Sequence, residues 1–118
     1  MRKTLKVIPL IVATAIVLAL FVLGRLPGAG SLFPSPWDRL AHLCVYGALA
    51  ICLRLGAGHL SAAWVVLITA VIGLLDEIHQ AFIPGRTAGI IDFLADTCGA
   101  LAGVAALKAW DALRSLQS

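Results

Sequence analysis

Charge is what this chain has least of. Of its 118 residues only 13% are Asp, Glu, Lys or Arg, while 61% are hydrophobic. A soluble domain carries about a quarter charged residues, and a mean hydropathy of +1.01 makes a lipid bilayer the reasonable solvent. Cysteine is sparse too: Cys44, Cys52 and Cys98 lie in apolar segments without C-x-x-C spacing. That pattern excludes a disulfide framework or a zinc knuckle and reads as small buried hydrophobes. A net charge of +3 is too small and too scattered for a nucleic-acid partner. It reads as loop charge that sets orientation in a membrane.

What the chain does have is long apolar runs. Four spans can be cut from it, at about 7–24, 39–55, 61–79 and 89–110. The first, "VIPLIVATAIVLALFVLG", carries no charge, and at ~1.5 Å per residue it is just long enough to cross a hydrocarbon core. "MRKTLK" before it would also suit a signal peptide, but the apolar run is longer than the usual leader core and no small-x-small cleavage site follows. It is expected to stay as a helix. Lipid leaves no water for an open strand edge, so helices are expected throughout, giving an all-α four-helix membrane bundle in a single domain, 1–118.

Basic residues orient the bundle. Arg2, Lys3, Lys6, Arg54, Lys108 and Arg114 fall on one side, and Arg25, Arg39 and Arg86 on the other. The excess places both termini in the cytoplasm. Trp64 and Trp110 then lie near the inner interface and Trp37 near the outer one, as indoles prefer. The connection "RLPGAGSLFPSPWD" is too rich in Pro, Gly and Ser for regular helix.

In this topology the polar residues converge. Asp38, His42 and Tyr46 descend at helical spacing from the outer end of the second span. Asp76, Glu77, His79 and Gln80 occupy the last outer turns of the third, and Asp92 and Asp96 open the fourth. Only one acid, Asp111, falls elsewhere. Residues four apart share a helix face, so Asp38/His42, Asp76/Gln80 and Asp92/Asp96 form three polar stripes. An acid near the bilayer centre costs about 2.5–3.5 kcal/mol on insertion scales, so the stripes must turn inward. The expected result is a polar pocket at the extracytoplasmic end above an apolar inner half. Gly99 and Gly103 continue the Asp92/Asp96 face at small-xxx-small spacing, suited equally to an internal helix contact or a homodimer.

Several carboxylates close together in low dielectric cannot all ionise, and a protonated carboxyl beside a histidine makes an acid–base pair. His42 with Asp76 and Glu77 are the catalytic candidates if the protein is an enzyme. Asp38, Arg39, Tyr46, His79, Gln80, Arg86, Asp92 and Asp96 are the candidates for binding a headgroup. Arg86 follows a Pro-Gly turn, and its planar fork suits phosphate or carboxylate. The same oxygens and imidazole can hold a divalent cation, although no zinc motif such as H-E-x-x-H is present. No cofactor is assigned.

"DRLAHLCVYGALA" followed by "DEIHQAFIPGRTAGIIDFLADTCGALAG" resembles the VanZ-like family of small bacterial membrane proteins. The family pattern is Asp-Lys/Arg then His, next D-E-x-x-Q…P-G-R, and later D-x-x-x-N-x-x-G. By this resemblance Asp38, Arg39, His42, Asp76, Glu77, Gln80, Arg86 and Asp92 occupy motif positions, and Asp96 stands where the family commonly has Asn. The resemblance implies a multi-pass protein of the bacterial cytoplasmic membrane and a link to teicoplanin-type lipoglycopeptide resistance. Its partner would be a membrane lipid or a lipid-linked envelope precursor. Three functions fit the residues: a headgroup binder, an acid–base enzyme acting on such a lipid, and a proton- or ion-coupled carrier. The carrier fits least, because no inverted repeat or broken span pair is evident. A buried network that only ties the helices together fits as well.

Overall fold

The computed structural model describes residues 3–23, 37–82 and 89–117. Among these, every regular element is helical: α1 (Lys3–Leu23), α2 (Trp37–Gly56), α3 (Ala62–Ala81) and α4 (Ile90–Leu116). The four-helix, all-α architecture expected from the sequence is the one observed. Helices α2, α3 and α4 are long and apolar enough to cross a membrane, and α1 adds the shorter apolar stretch Lys6–Val22. Each such helix satisfies its own backbone groups, which is what lets it enter lipid.

Every helix boundary lies one to six residues from the expected one, and at two of them a local reason is visible. Ser61 lies outside α3 as its N-cap, with extended backbone, and its hydroxyl accepts from the Trp64 N–H, satisfying one of the helix's orphan donors. Helix α4 continues past Trp110 to Leu116, where the apolar run has ended. Arg114 in that last turn complements the negative end of the helix dipole.

The helices are arranged around α2. On the face it shares with α4, a Cβ added to Gly99 would strike the Leu43 carbonyl. One on Gly103 would lie 2.5 Å from the Gly47 carbonyl oxygen, and one on Gly47 3.1 Å from that of Gly99. The contacts step by four residues in the same direction along both helices, so α2 and α4 run parallel, backbone against backbone. The small-residue face expected to receive a helix thus receives α2 of the same chain. Helix α1 lies antiparallel along another face of α2: Leu10 packs over Gly56, and Ile16, Val17 and Leu20 pack around the buried cluster of Ala13, Tyr46 and Leu49.

The outside of the bundle is apolar. Leu67, Leu74, Ile78, Ile91, Leu94 and Leu101 are all about half exposed, an arrangement that water penalises and lipid does not. The cysteines share this location. They do not fill the interior as expected: Cys44 and Cys98 are exposed and Cys52 is intermediate. In lipid a small apolar thiol is as well solvated outside the bundle as within it, so the tendency of cysteine to be buried in soluble proteins does not carry over. Trp64 and Trp110 are also exposed.

Candidate polar site

The C-terminal turns of α1 and α3 meet the N-terminal turns of α2 and α4 at one end of the bundle, and the polar side chains gather there. His42 Nδ1 lies 2.9 Å from Asp96 Oδ1, linking α2 to α4. Asp96 is fully buried, whereas His42 keeps 20% of its side chain exposed. With Nδ1 engaged by the carboxylate, Nε2 is the nitrogen left for a ligand or a proton.

One turn further along α2, the Tyr46 hydroxyl donates to Asp76 Oδ2 at 3.1 Å. Gln80, one turn on from Asp76 in α3, donates to the same oxygen at 3.1 Å. All three residues are buried. The Tyr46 and His42 rings stack, 8° from parallel with centroids 6.2 Å apart, which joins the two hydrogen-bonded groups along one face of α2. Two neutral donors on one buried carboxylate oxygen make a tight cross-link between α2 and α3, since buried polar groups are stable only when paired.

Glu77 is buried as well, and its Oε2 accepts from the Gly89 N–H at 3.0 Å, just ahead of α4. This contact ties the end of α3 to the start of α4. Glu77 Oε1 and Asp96 Oδ2 are buried without a hydrogen-bond partner among the described residues. His42, Glu77 and Asp96 each offer a ligand atom within 4.8 Å of the others. Among the described residues, His42 with Asp96 is the ion pair at this end.

The expected residues therefore converge, with some pairings unlike those the sequence implied. The bonded partner of His42 is Asp96, where Asp76 or Glu77 was expected. Gln80 is committed to Asp76, so the Asp76/Gln80 stripe forms an internal bond before it offers anything to a ligand. His79 is half-buried, with its ring tilted against Phe21 of α1, centroids 5.5 Å apart. Asp92 is half-buried in the first turn of α4, and Arg39 is exposed at the start of α2. Arg86 and the side chain of Asp38 lie outside the described residues.

A family model described as VanZ/LLP1 matches residues 5–111. The chain belongs to the VanZ/LLP1 family. No curated protein and no solved structure matches it. The match reaches into all four helices, and His42, Asp76, Glu77 and Gln80, which the sequence resemblance singled out, are gathered at this end of the bundle. Asp96 is the partner of His42, and an Asn in its place could also offer that imidazole an oxygen.

Two residues that build the site escaped the sequence reading. Gly47 allows the approach of α2 and α4. Gly73 leaves the space that Asp96 occupies: a Cβ there would lie 3.0 Å from Asp96 Oδ2 and 3.1 Å from its Cβ. A signal for each was present, because Gly73 precedes Asp76 by three residues and Gly47 immediately follows Tyr46.

Proposed function

We propose that this VanZ/LLP1-family protein lies in the bacterial cytoplasmic membrane with both termini inside, and that its polar cluster binds the headgroup of an envelope lipid or lipid-linked precursor at the outer leaflet. The observation that carries this reading is the convergence of His42, Tyr46, Asp76, Glu77, Gln80 and Asp96 at one end of an otherwise apolar bundle. Ionisable groups inside spanning segments are costly, and they mark binding or transport sites by default. His42 reaches the edge of the cluster and Arg39 is exposed one turn before it, a pairing suited to a phosphate or a sugar while the lipid tails lie along the apolar exterior. Any effect on teicoplanin-type lipoglycopeptide susceptibility would follow from occupancy of that headgroup.

A second reading is favoured by one contact. Asp96 at 2.9 Å from Nδ1 orients the His42 imidazole with Nε2 outward, the arrangement of a general base held by a carboxylate. The protein would then act on the headgroup as well as bind it.

Native mass spectrometry with extraction of co-purified lipid tests the first reading on wild type, His42→Ala and Asp76→Asn. A headgroup-specific lipid retained by wild type and absent from both folded variants is the expected result. The same lipids in all three, in membrane-average proportions, would overturn it. Turnover of the retained lipid by wild type but not by His42→Ala would favour the enzyme.

A further inference from the structure

We infer that His42, Glu77 and Asp96 form a binding site for a divalent first-row transition-metal cation of the Mn2+ or Zn2+ type. One donor atom from each residue lies within 4.8 Å of the other two. An ion with bonds of about 2.0–2.2 Å to nitrogen and oxygen draws its donors to about 3–4.4 Å from one another, so small side-chain adjustments close the set. The residues come from α2, α3 and α4, and Glu77 is held from outside the set by the Gly89 N–H.

The unpartnered oxygens point the same way. Asp96 Oδ2 and Glu77 Oε1 are buried with no hydrogen-bond partner among the described residues, in side chains that are 0% and 5% exposed. A buried carboxylate oxygen left unpaired is costly, and none of the described residues pairs with either oxygen. Each residue's second oxygen is already fixed, Asp96 Oδ1 by His42 and Glu77 Oε2 by Gly89. The Gly89 contact orients Glu77 as second-shell bonds orient metal ligands elsewhere, and the His42–Asp96 contact sets two of the proposed ligands side by side. Asp76 is not part of the set, because its Oδ2 already accepts from Tyr46 and Gln80.

Charge and donor type narrow the ion. Two carboxylates with a neutral imidazole balance a divalent cation, leaving a neutral site inside the apolar bundle. Imidazole nitrogen suits Zn2+ and its neighbours, and carboxylate oxygen suits Mn2+ as well as the harder ions, so the mixed set favours Mn2+ or Zn2+ over Mg2+ or Ca2+. Three protein ligands also leave coordination positions open, as in sites where a metal meets its substrate. An oxygen of the bound headgroup would fill one, and in this respect the inference rests on the proposed function.

The test uses the untagged full chain in phosphatidylcholine nanodiscs, stripped with chelator and dialysed. Mn2+ is titrated while the free ion is followed by electron paramagnetic resonance, and Zn2+ is then added as competitor. The expected result is one Mn2+ per chain above empty nanodiscs, displaced by Zn2+. Glu77→Gln and Asp96→Asn should each weaken binding at least about tenfold, the lower end of what loss of even a second-shell partner costs. Asp111→Asn, on the exposed end of α4, should bind as wild type does. Circular dichroism reports whether each variant keeps its helices. Wild-type binding no greater than that of empty nanodiscs would overturn the site, as would folded Glu77→Gln and Asp96→Asn that bind undiminished. Headgroup-specific lipid retained in chelator by a protein that binds neither ion would overturn the cation site and leave the headgroup reading standing. Binding of the ion without any specific lipid would do the reverse.

Discussion

His42 of α2 and Asp96 of α4 meet at 2.9 Å beside the point where Gly99 seats against the backbone of Leu43. The polar contact and the glycine contact depend on one another. Without side chains at 47, 99 and 103 the parallel helices come close enough for a short imidazole and a short carboxylate to touch. With larger residues there, the same pair would be separated.

Gly99→Ala is therefore expected to part α2 from α4, because the new methyl group meets backbone that cannot rotate away. Overpacking of this kind costs about 1–3 kcal/mol. Gly58→Ala is the matched control, since a Cβ there has nothing within 4 Å. Thermal unfolding in detergent, followed by circular dichroism, should show a lower midpoint for the first variant only. Equal midpoints would mean that the seam is looser than described.

Asp96→Asn should keep the fold, because an amide oxygen can still accept from His42 Nδ1. Asp96→Leu removes the acceptor and should cost about 1–3 kcal/mol, the range for leaving a partly buried polar partner unpaired. The two unfolding midpoints check this. A leucine variant as stable as wild type would show that the His42–Asp96 contact contributes nothing to folding.

Tyr46→Phe deletes the buried donor to Asp76 and preserves the ring that packs between α1 and α2. A loss of about 1–3 kcal/mol is expected, with Gln80 left as the remaining described donor to Asp76 Oδ2. Tyr46→Phe combined with Gln80→Leu should cost more than the sum of the single changes, because the carboxylate oxygen then loses both donors. A strictly additive double mutant would argue that water takes their place.

Gly73→Ala perturbs the cluster without removing any polar atom. The added methyl group would crowd Asp96 at 3.0–3.1 Å and displace its carboxylate from His42. Lipid retention should fall more than the thermal midpoint does, because the helices need shift by only a few tenths of an ångström. Unchanged retention would show that the exact placement of Asp96 is not needed for binding.

Much of this was legible in the sequence. The run lengths and the scarcity of charge announced helices that lipid can accept, the alternating direction of the spans brought five acids to one end, and four-residue spacing set them on shared faces. The partner of each acid was not legible. Asp76, Glu77 and Asp96 are equivalent choices for His42 until the parallel packing of α2 on α4 selects one of them, and that packing depends on Gly47, whose one signal in the sequence is its place beside Tyr46. The cysteines misled for a related reason: a preference learned from proteins in water says little about a residue whose outer surroundings are hydrocarbon.

The parallel pairing of α2 with α4 also governs how the protein is made. The two helices are neighbours in space but have α3 between them in the chain, so during synthesis His42 enters the membrane well before Asp96 exists. Asp76 has Tyr46 to receive it as soon as α3 arrives, while Glu77 must wait for Gly89. A chain stopped after α3 would hold the His42 imidazole and the Glu77 carboxylate without the partners that Asp96 and Gly89 supply. Arrival of α4 completes the glycine seam and the polar cluster in the same event, so each nascent molecule closes its packing and its polar network together.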